Sequence, residues 1–253
     1  MKRVLAVGGT DSGGGAGLAA DLRTLAALGV HGAMVVTAVT AQSSLAVEAL
    51  HEVPEAVVRA QLAAVLGDLG ADVVKTGMLA SGPVVVAVVE AVMGRPLVVD
   101  PVGVSSSGQS LLTPEGLALL RSELLPLALV VTPNLAEVLA LTGFAVASSK
   151  DLLEAARRVH ALGPAWVLVK GGHLPGAPVD LLWDGTTSLE LVGERVATPH
   201  THGTGCTQAS ALAAHLALGW SVPDAATAAK AFVTRAIKRG YAVGAGPGPV
   251  RQV

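Results

Sequence analysis

The sequence predicts a three-layer α/β/α sandwich around a mostly parallel central sheet, with an antiparallel hairpin at the sheet edge. Of the 253 residues, 51% are apolar but only 2% aromatic. The core is therefore Val, Leu and Ala, the composition of a sheet buried on both faces. Short β-branched runs recur between segments with helical spacing, and strand then helix, repeated, specifies parallel strands joined by right-handed crossovers. No repeat, linker or break in composition divides the chain, so one domain over 1–253 is expected.

The first strand is RVLAV (3–7), followed by the glycine-rich GGTDSGGGAG (8–17) and a helix over 17–28. AMVVTAV (33–39) is the second strand, with TAQ (40–42) after it. Val58, Leu62, Val65 and Leu69 share one helical face ahead of the strand DVVKT (72–76). PLVVD (96–100) comes next, and Thr113-Pro114-Glu115 sets an N-cap before a proline at the first helical position. ALVVT (128–132) runs into PNLAE, and WVLVK (166–170) into GGH. Apolar runs flank Asp184-Gly185 within 181–192, the pattern of an edge hairpin. A last pair of helices starts near 206 and at Ser221-x-x-Asp224, which resembles a capping box.

Charge and composition exclude several classes. Net charge is −2 with no basic block, so there is no electrostatic footprint for nucleic acid or for an anionic membrane. The stretch 24–47 lacks charged residues, yet glycines and polar side chains interrupt it too often for a membrane span. The short apolar run at the N-terminus is too little for a signal peptide, and one cysteine makes no internal disulfide. A soluble cytoplasmic enzyme is the expectation.

Chemistry gathers at the strand ends. In a parallel sheet the glycine loop, TAQ, Gly77-Met78, PVG, PNLAE and GGH share one rim, where open α/β folds bind ligands. The glycine run fits neither nucleotide fingerprint: Leu18 stands where the last dinucleotide glycine belongs, and no Lys-Ser or Lys-Thr follows a glycine. It reads either as a plain turn or as backbone passing close to a small flat ligand. Glu137, in the first turn of a helix, is either a favourable dipole partner or, with Asp100, a holder of hydrated Mg²⁺. Lys170, at the end of a buried strand, requires an anion. The backbone N–H groups around Gly203, Thr204, Gly205 and Cys206, at a helix mouth, form a candidate anion hole, which with Mg²⁺ and Lys170 supplies the main terms of phosphoryl transfer. Cys206 at a helix N-terminus is expected to have a lowered pKa and to accept a hydroxyl proton. His202 is equally readable as a nucleotide contact, a turn brace or a catalytic group.

Together these motifs resemble the hydroxymethylpyrimidine/phosphomethylpyrimidine kinases of thiamine biosynthesis, within the ribokinase-like superfamily. The match runs nearly end to end, through GTDSGGGAGLAADLRTLAALGVHG, VTAVTAQ, KTGML, VVDPV, TPNLAEVLAL, VLVKGGH, THGTGCTQASALAA and GAGPGPV. The resemblance implies ATP-dependent phosphorylation of 4-amino-5-hydroxymethyl-2-methylpyrimidine, then of its monophosphate, by a homodimer. It implies that Gly9, Asp21, Gln42, Met78, Val102 and Cys206 line the pyrimidine pocket. Lys170 and the 203–206 hole would face the transferred phosphate, with Asn134, His202 and Thr204 toward ATP and Asp100 and Glu137 toward Mg²⁺. Two positions depart from the family: His200 replaces an asparagine, and Ser106 lies where a lysine is usual. A pyridoxal or pyridoxine kinase is the nearest rival, Gln42 and Met78 favouring the pyrimidine. A sensor without catalysis is a further alternative, against which Lys170, Glu137 and GTGC stand.

Overall fold

A computed structural model describes residues 1–104 and 110–253. One nine-stranded sheet runs through it, made of β1 (Arg3–Gly9), β2 (His31–Gln42), β3 (Val47–Glu52), β4 (Val73–Thr76), β5 (Leu97–Val99), β6 (Val130–Val131), β7 (Trp166–Val169), β8 (Val179–Trp183) and β9 (Ser188–Val192). Their spatial order is β3-β2-β1-β4-β5-β6-β7-β8-β9. The pairs from β2 through β7 are parallel, whereas β3 on β2, β8 on β7 and β9 on β8 are antiparallel. The expected hairpin across Asp184-Gly185 is thus β8–β9, and a second one, β2–β3, closes the opposite edge.

Alternation along each strand sends neighbouring side chains to opposite faces. Leu5, Val7, Val74, Val99, Val131, Val167 and Val169 enter one core, under α2 (Glu55–Ala64), α3 (Gly82–Val92), α4 (Pro114–Leu119), α5 (Leu135–Thr142) and α6 (Leu152–His160). Val4, Val73, Val98, Val130, Leu168 and Leu182 enter the other, under α1 (Gly17–Ala27), α7 (Thr204–Ala217) and α8 (Val222–Lys238). Because both faces are covered, the strands carry the nearly continuous apolar runs seen in the sequence.

Helix α7 is the central one on its face. Ala209, Ala211, Ala213 and Ala214 are all fully buried, so small side chains let it lie close to both the sheet and α8. Helix starts follow local chemistry: the Thr113 and Ser221 side chains accept from the N–H groups of Gly116 and Asp224. Ahead of α5, Asn134 and Glu137 make a full capping box. The expected single helical face of Val58 to Leu69 is interrupted, since α2 ends at Ala64 and a π-turn covers Val65–Leu69. The TAQ segment also differs from expectation: it is the end of β2, not a loop after it. No helix among the described residues is long and apolar enough to cross a membrane.

Candidate active site

The carboxyl ends of β1, β2, β4, β5, β6 and β7 share one rim, and the N-terminus of α7 faces it. Between them lies a cavity of about 190 Å³. Gly9, Asp21, Gln42, Met78, Asp100, Val102, Asn134, Glu137, Lys170, His202, Gly203, Gly205 and Cys206 all border it. Thr204 does not; it borders an adjoining cavity of about 830 Å³ that shares Gln42, Asn134, Glu137 and Gly203 with the first. The folded chain therefore gathers every predicted site residue around two connected spaces.

Charge is concentrated where β5, β6 and β7 end. Lys170 Nζ lies 2.7 Å from Asp100 Oδ1 and 3.9 Å from Glu137 Oε2, and the Thr132 hydroxyl donates to Asp100 Oδ1 at 3.0 Å. Burial pushes the Asp100 carboxyl up, but Lys170 and Lys75 outweigh it, so its pKa sits below the ordinary range. Burial likewise opposes the charge on Lys170, and Asp100 and Glu137 reverse that, leaving its pKa raised. Glu137 is different: burial lifts its carboxyl to about 7, Lys170 opposes the lift, and the Asp100 charge adds to it. Its Oε2 accepts the Asn134 N–H at 2.7 Å, as a helix cap, and the same side chain borders both cavities.

The donor set fits Mg²⁺. Asp100 Oδ2 and Glu137 Oε1 accept no hydrogen bond among the described residues, which leaves two hard oxygens beside the cavity. One or two carboxylates, completed by water and phosphate oxygens, are what this ion takes. An all-protein cage is absent among the described residues, where no group of three or more His, Cys, Asp and Glu side chains converges.

At the mouth of α7, Gly203 adopts φ +82°, and a Cβ there would lie 2.0 Å from the Gly15 carbonyl oxygen. Glycine is required at that contact. It turns the chain so that Gly205 and Cys206 present N–H groups with no acceptor among the described residues, as an anion hole needs. The Cys206 thiol corrects the sequence expectation. Burial raises its pKa to about 11, Lys75 opposing and Asp21 and Asp100 adding to the rise. The helix terminus does not offset the loss of water, so the thiol is neutral at pH 7.

Two charged residues that border the small cavity, Lys75 and Asp11, were not singled out from the sequence. Lys75, in β4, is 1% exposed and donates to both oxygens of Asp21 at 2.8 and 2.9 Å, while Ser210 donates to Asp21 Oδ1 at 2.7 Å. Burial disfavours the ammonium, but the Asp21 and Asp100 carboxylates raise its pKa and keep it charged. Asp21, expected to line the pyrimidine pocket, does border the small cavity, but both of its oxygens are engaged within the protein. A lone charge inside the apolar run VVKT was the available signal. Asp11 accepts the N–H groups of Gly13, Gly15 and Ala16 and pairs with His202 Nε2 at 2.8 Å. The glycine loop is thereby folded around a carboxylate, and His202 braces it. His200 accepts from the Gly248 N–H at 3.0 Å, so at this departure from the family pattern the imidazole holds the C-terminal loop. Ser106 lies outside the described residues.

A parallel sheet between helical layers, with a lysine, two carboxylates and an anion hole on its rim, defines a ribokinase-like phosphotransferase. The model of the family described as phosphomethylpyrimidine kinase matches residues 11–251. A hydroxymethylpyrimidine/phosphomethylpyrimidine kinase from Streptomyces coelicolor is 54% identical over 98% of this chain and 93% of its own length. One from Synechococcus elongatus is 48% identical over 97% and 95%. Among solved structures, a pyridoxal kinase from Bacillus subtilis in complex with ADP superposes with TM-score 0.93 at 37% identity, covering 100% of this chain and 97% of that one. A phosphomethylpyrimidine kinase from Clostridium difficile gives 0.82 at 36%, covering 94% and 100%. The chain belongs to the phosphomethylpyrimidine kinase family.

Glu137 yields a prediction with a definite sign. The unfolded chain loses this proton near 4.5 and the folded protein near 7, so the contribution is full below pH 4.5 and is lost as pH rises through 7. Between pH 4.5 and 8 the wild type should lose about 2 to 3 kcal/mol more stability than Glu137→Gln, measured by urea unfolding at both pH values. Equal losses in the two proteins would show that the carboxyl is not held up by its surroundings.

Proposed function

We propose that the protein uses ATP and Mg²⁺ to phosphorylate 4-amino-5-hydroxymethyl-2-methylpyrimidine, and then its monophosphate to the diphosphate, with the whole chain acting as one kinase domain. The observation that carries this reading is the meeting of Lys170, Asp100 and the N–H groups of Gly205 and Cys206, without acceptors among the described residues, at the junction of two cavities. The smaller space suits one six-membered ring. The larger one, bordered by Asn134, His202 and Thr204, suits the nucleotide. Solved pyridoxal kinases from Staphylococcus aureus hold ADP, AMP-PCP and pyridoxal, which supports the same two-ligand arrangement here.

Phosphoryl transfer asks chiefly for positioning and charge neutralisation. Met78 and Val102 give apolar walls, and Gly9 lets the first loop approach Met78, whose Cε would be 2.4 Å from any Cβ at that position. Gln42 offers an amide to the ring edge. Lys170 and the N–H groups of Gly205 and Cys206 face the group in transit and stabilise charge on its oxygens. Asp100 and Glu137 would hold Mg²⁺, which would supply further neutralisation of the phosphates. Cys206 contributes through its backbone, because a thiol titrating near 11 is a poor proton acceptor at neutral pH. The pyridoxal alternative receives its support from the likeness to solved pyridoxal kinases, and the pyrimidine from relatives of higher identity.

Incubation with Mg-ATP and each alcohol, followed by phosphorus NMR, should give first a monoester and then a diphosphate from the pyrimidine. Exclusive turnover of pyridoxal would overturn the substrate assignment. Lys170→Ala should lower kcat by about a hundredfold or more, whereas Cys206→Ala, which keeps the N–H, should cost less than about tenfold. A hundredfold loss in Cys206→Ala would restore the sulfur as the base. We place a homodimer in the same proposal, supported by the exposed Leu189 and Val192 on the edge strand β9; sedimentation at the mass of one chain would remove it.

A further inference from the structure

The residue after Lys170 is held by a group that takes no part in the chemistry above. Asp180, in β8, is 1% exposed. Its Oδ1 accepts the N–H of Gly171 at 3.1 Å, and its Oδ2 accepts Gln208 Nε2 at 2.7 Å and lies 2.9 Å from Lys230 Nζ. One buried carboxylate thus touches the residue after Lys170, a side chain of α7 two positions beyond Cys206, and α8. Approach here is close: a Cβ on Gly171 would lie 2.2 Å from the Val179 carbonyl oxygen, so the turn after β7 is pressed onto the strand that carries Asp180. On its other side the Lys170 N–H donates to the Pro133 carbonyl at 2.8 Å.

We propose that Asp180 is a positioning residue of the kinase, fixing the strand end that bears Lys170 against the helix whose N-terminus forms the anion hole. The inference rests on the phosphate site described above. A buried ion pair adds little net stability over an apolar replacement of the same shape, so Asp180 and Lys230 together are poorly explained as a stabilising device. The carboxylate instead joins the two elements whose separation sets the distance from the Lys170 ammonium to the N–H groups of Gly205 and Cys206. Misplacement of about 1 Å in such a site can cost a hundredfold in rate.

The test pairs two double variants, so that no buried ammonium is stranded. Asp180→Ala with Lys230→Met leaves the Gly171 N–H and Gln208 without their acceptor. Asp180→Asn with Lys230→Met is equally uncharged, but its amide oxygen can accept from Gly171 and its NH₂ can donate to Gln208 Oε1 once the Gln208 side-chain amide flips. Steady-state kinetics of both should be measured on the acceptor that the wild type phosphorylates best, at temperatures where unfolding curves show each to be folded. The alanine variant should lose ten- to a hundredfold in kcat with the acceptor KM within about twofold, and the asparagine variant should recover most of that loss. Unchanged kcat in the folded alanine variant overturns the proposal, and so does equal loss in both variants, which would assign the effect to charge. Failure of the wild type to use the pyrimidine sinks the substrate assignment alone, because the ratio of variants is read on whichever alcohol is turned over. Should the alanine variant not fold, a low kcat in the folded asparagine variant still overturns the proposal, and wild-type kcat there with loss in Gln208→Leu upholds it.

Discussion

An ammonium largely withdrawn from water must find an anion, and Lys170, whose side chain is 12% exposed, finds Asp100 at 2.7 Å with Glu137 beyond it. These three side chains come from the ends of three adjacent strands or the helix that follows, so the pair can form only if β5, β6 and β7 lie parallel and in register. Val98 opposite Val130, and Val130 opposite Trp166, set that register. The same pair leaves Asp100 Oδ2 and Glu137 Oε1 without partners among the described residues, facing the cavity. Structural satisfaction and chemical availability are thus divided between the two oxygens of each carboxylate.

Close backbone approach is the second constraint. Gly17, at φ +55°, would place a Cβ 2.5 Å from the Gly9 carbonyl oxygen, and Gly203 would strike the Gly15 carbonyl. Two loops from distant parts of the chain therefore touch backbone to backbone over the small cavity, with Asp11 and His202 joined across the seam. Glycine-rich sequence here reflects contact between loops as much as approach to a ligand.

Much of this was legible in advance. All six parallel strands and the edge hairpin at Asp184-Gly185 are where β-branched runs and turn residues put them, and the strand ends border the two cavities. Strand β3 was not legible, because VEALHE mixes charged and apolar residues on an edge where no position is fully buried. Lys75 was hidden because a strand rich in valine reads as core, and only the fold reveals that its ammonium meets Asp21 across the cavity floor. The thiol of Cys206 was misjudged for a related reason. Position at a helix terminus can be read from sequence, but the depth of burial that outweighs it cannot. Glu137 likewise needed coordinates, since a cap and a cavity wall are indistinguishable in NLAE.

The order of strands has a consequence for how the chain is made. Starting from β1, the strands β4 through β9 join one side of the sheet in the order in which they are synthesised, so pairing can keep pace with the ribosome. Coverage cannot. The face formed by Val73, Val98, Val130 and Leu168 is sealed chiefly by α7 and α8, which lie beyond residue 203. Until those helices emerge, a nascent chain bearing a nearly complete sheet exposes one apolar side of it. Such intermediates are prone to aggregate, and the alanine-rich helix whose N-terminus borders the cavities is also one of the two elements that end that exposure.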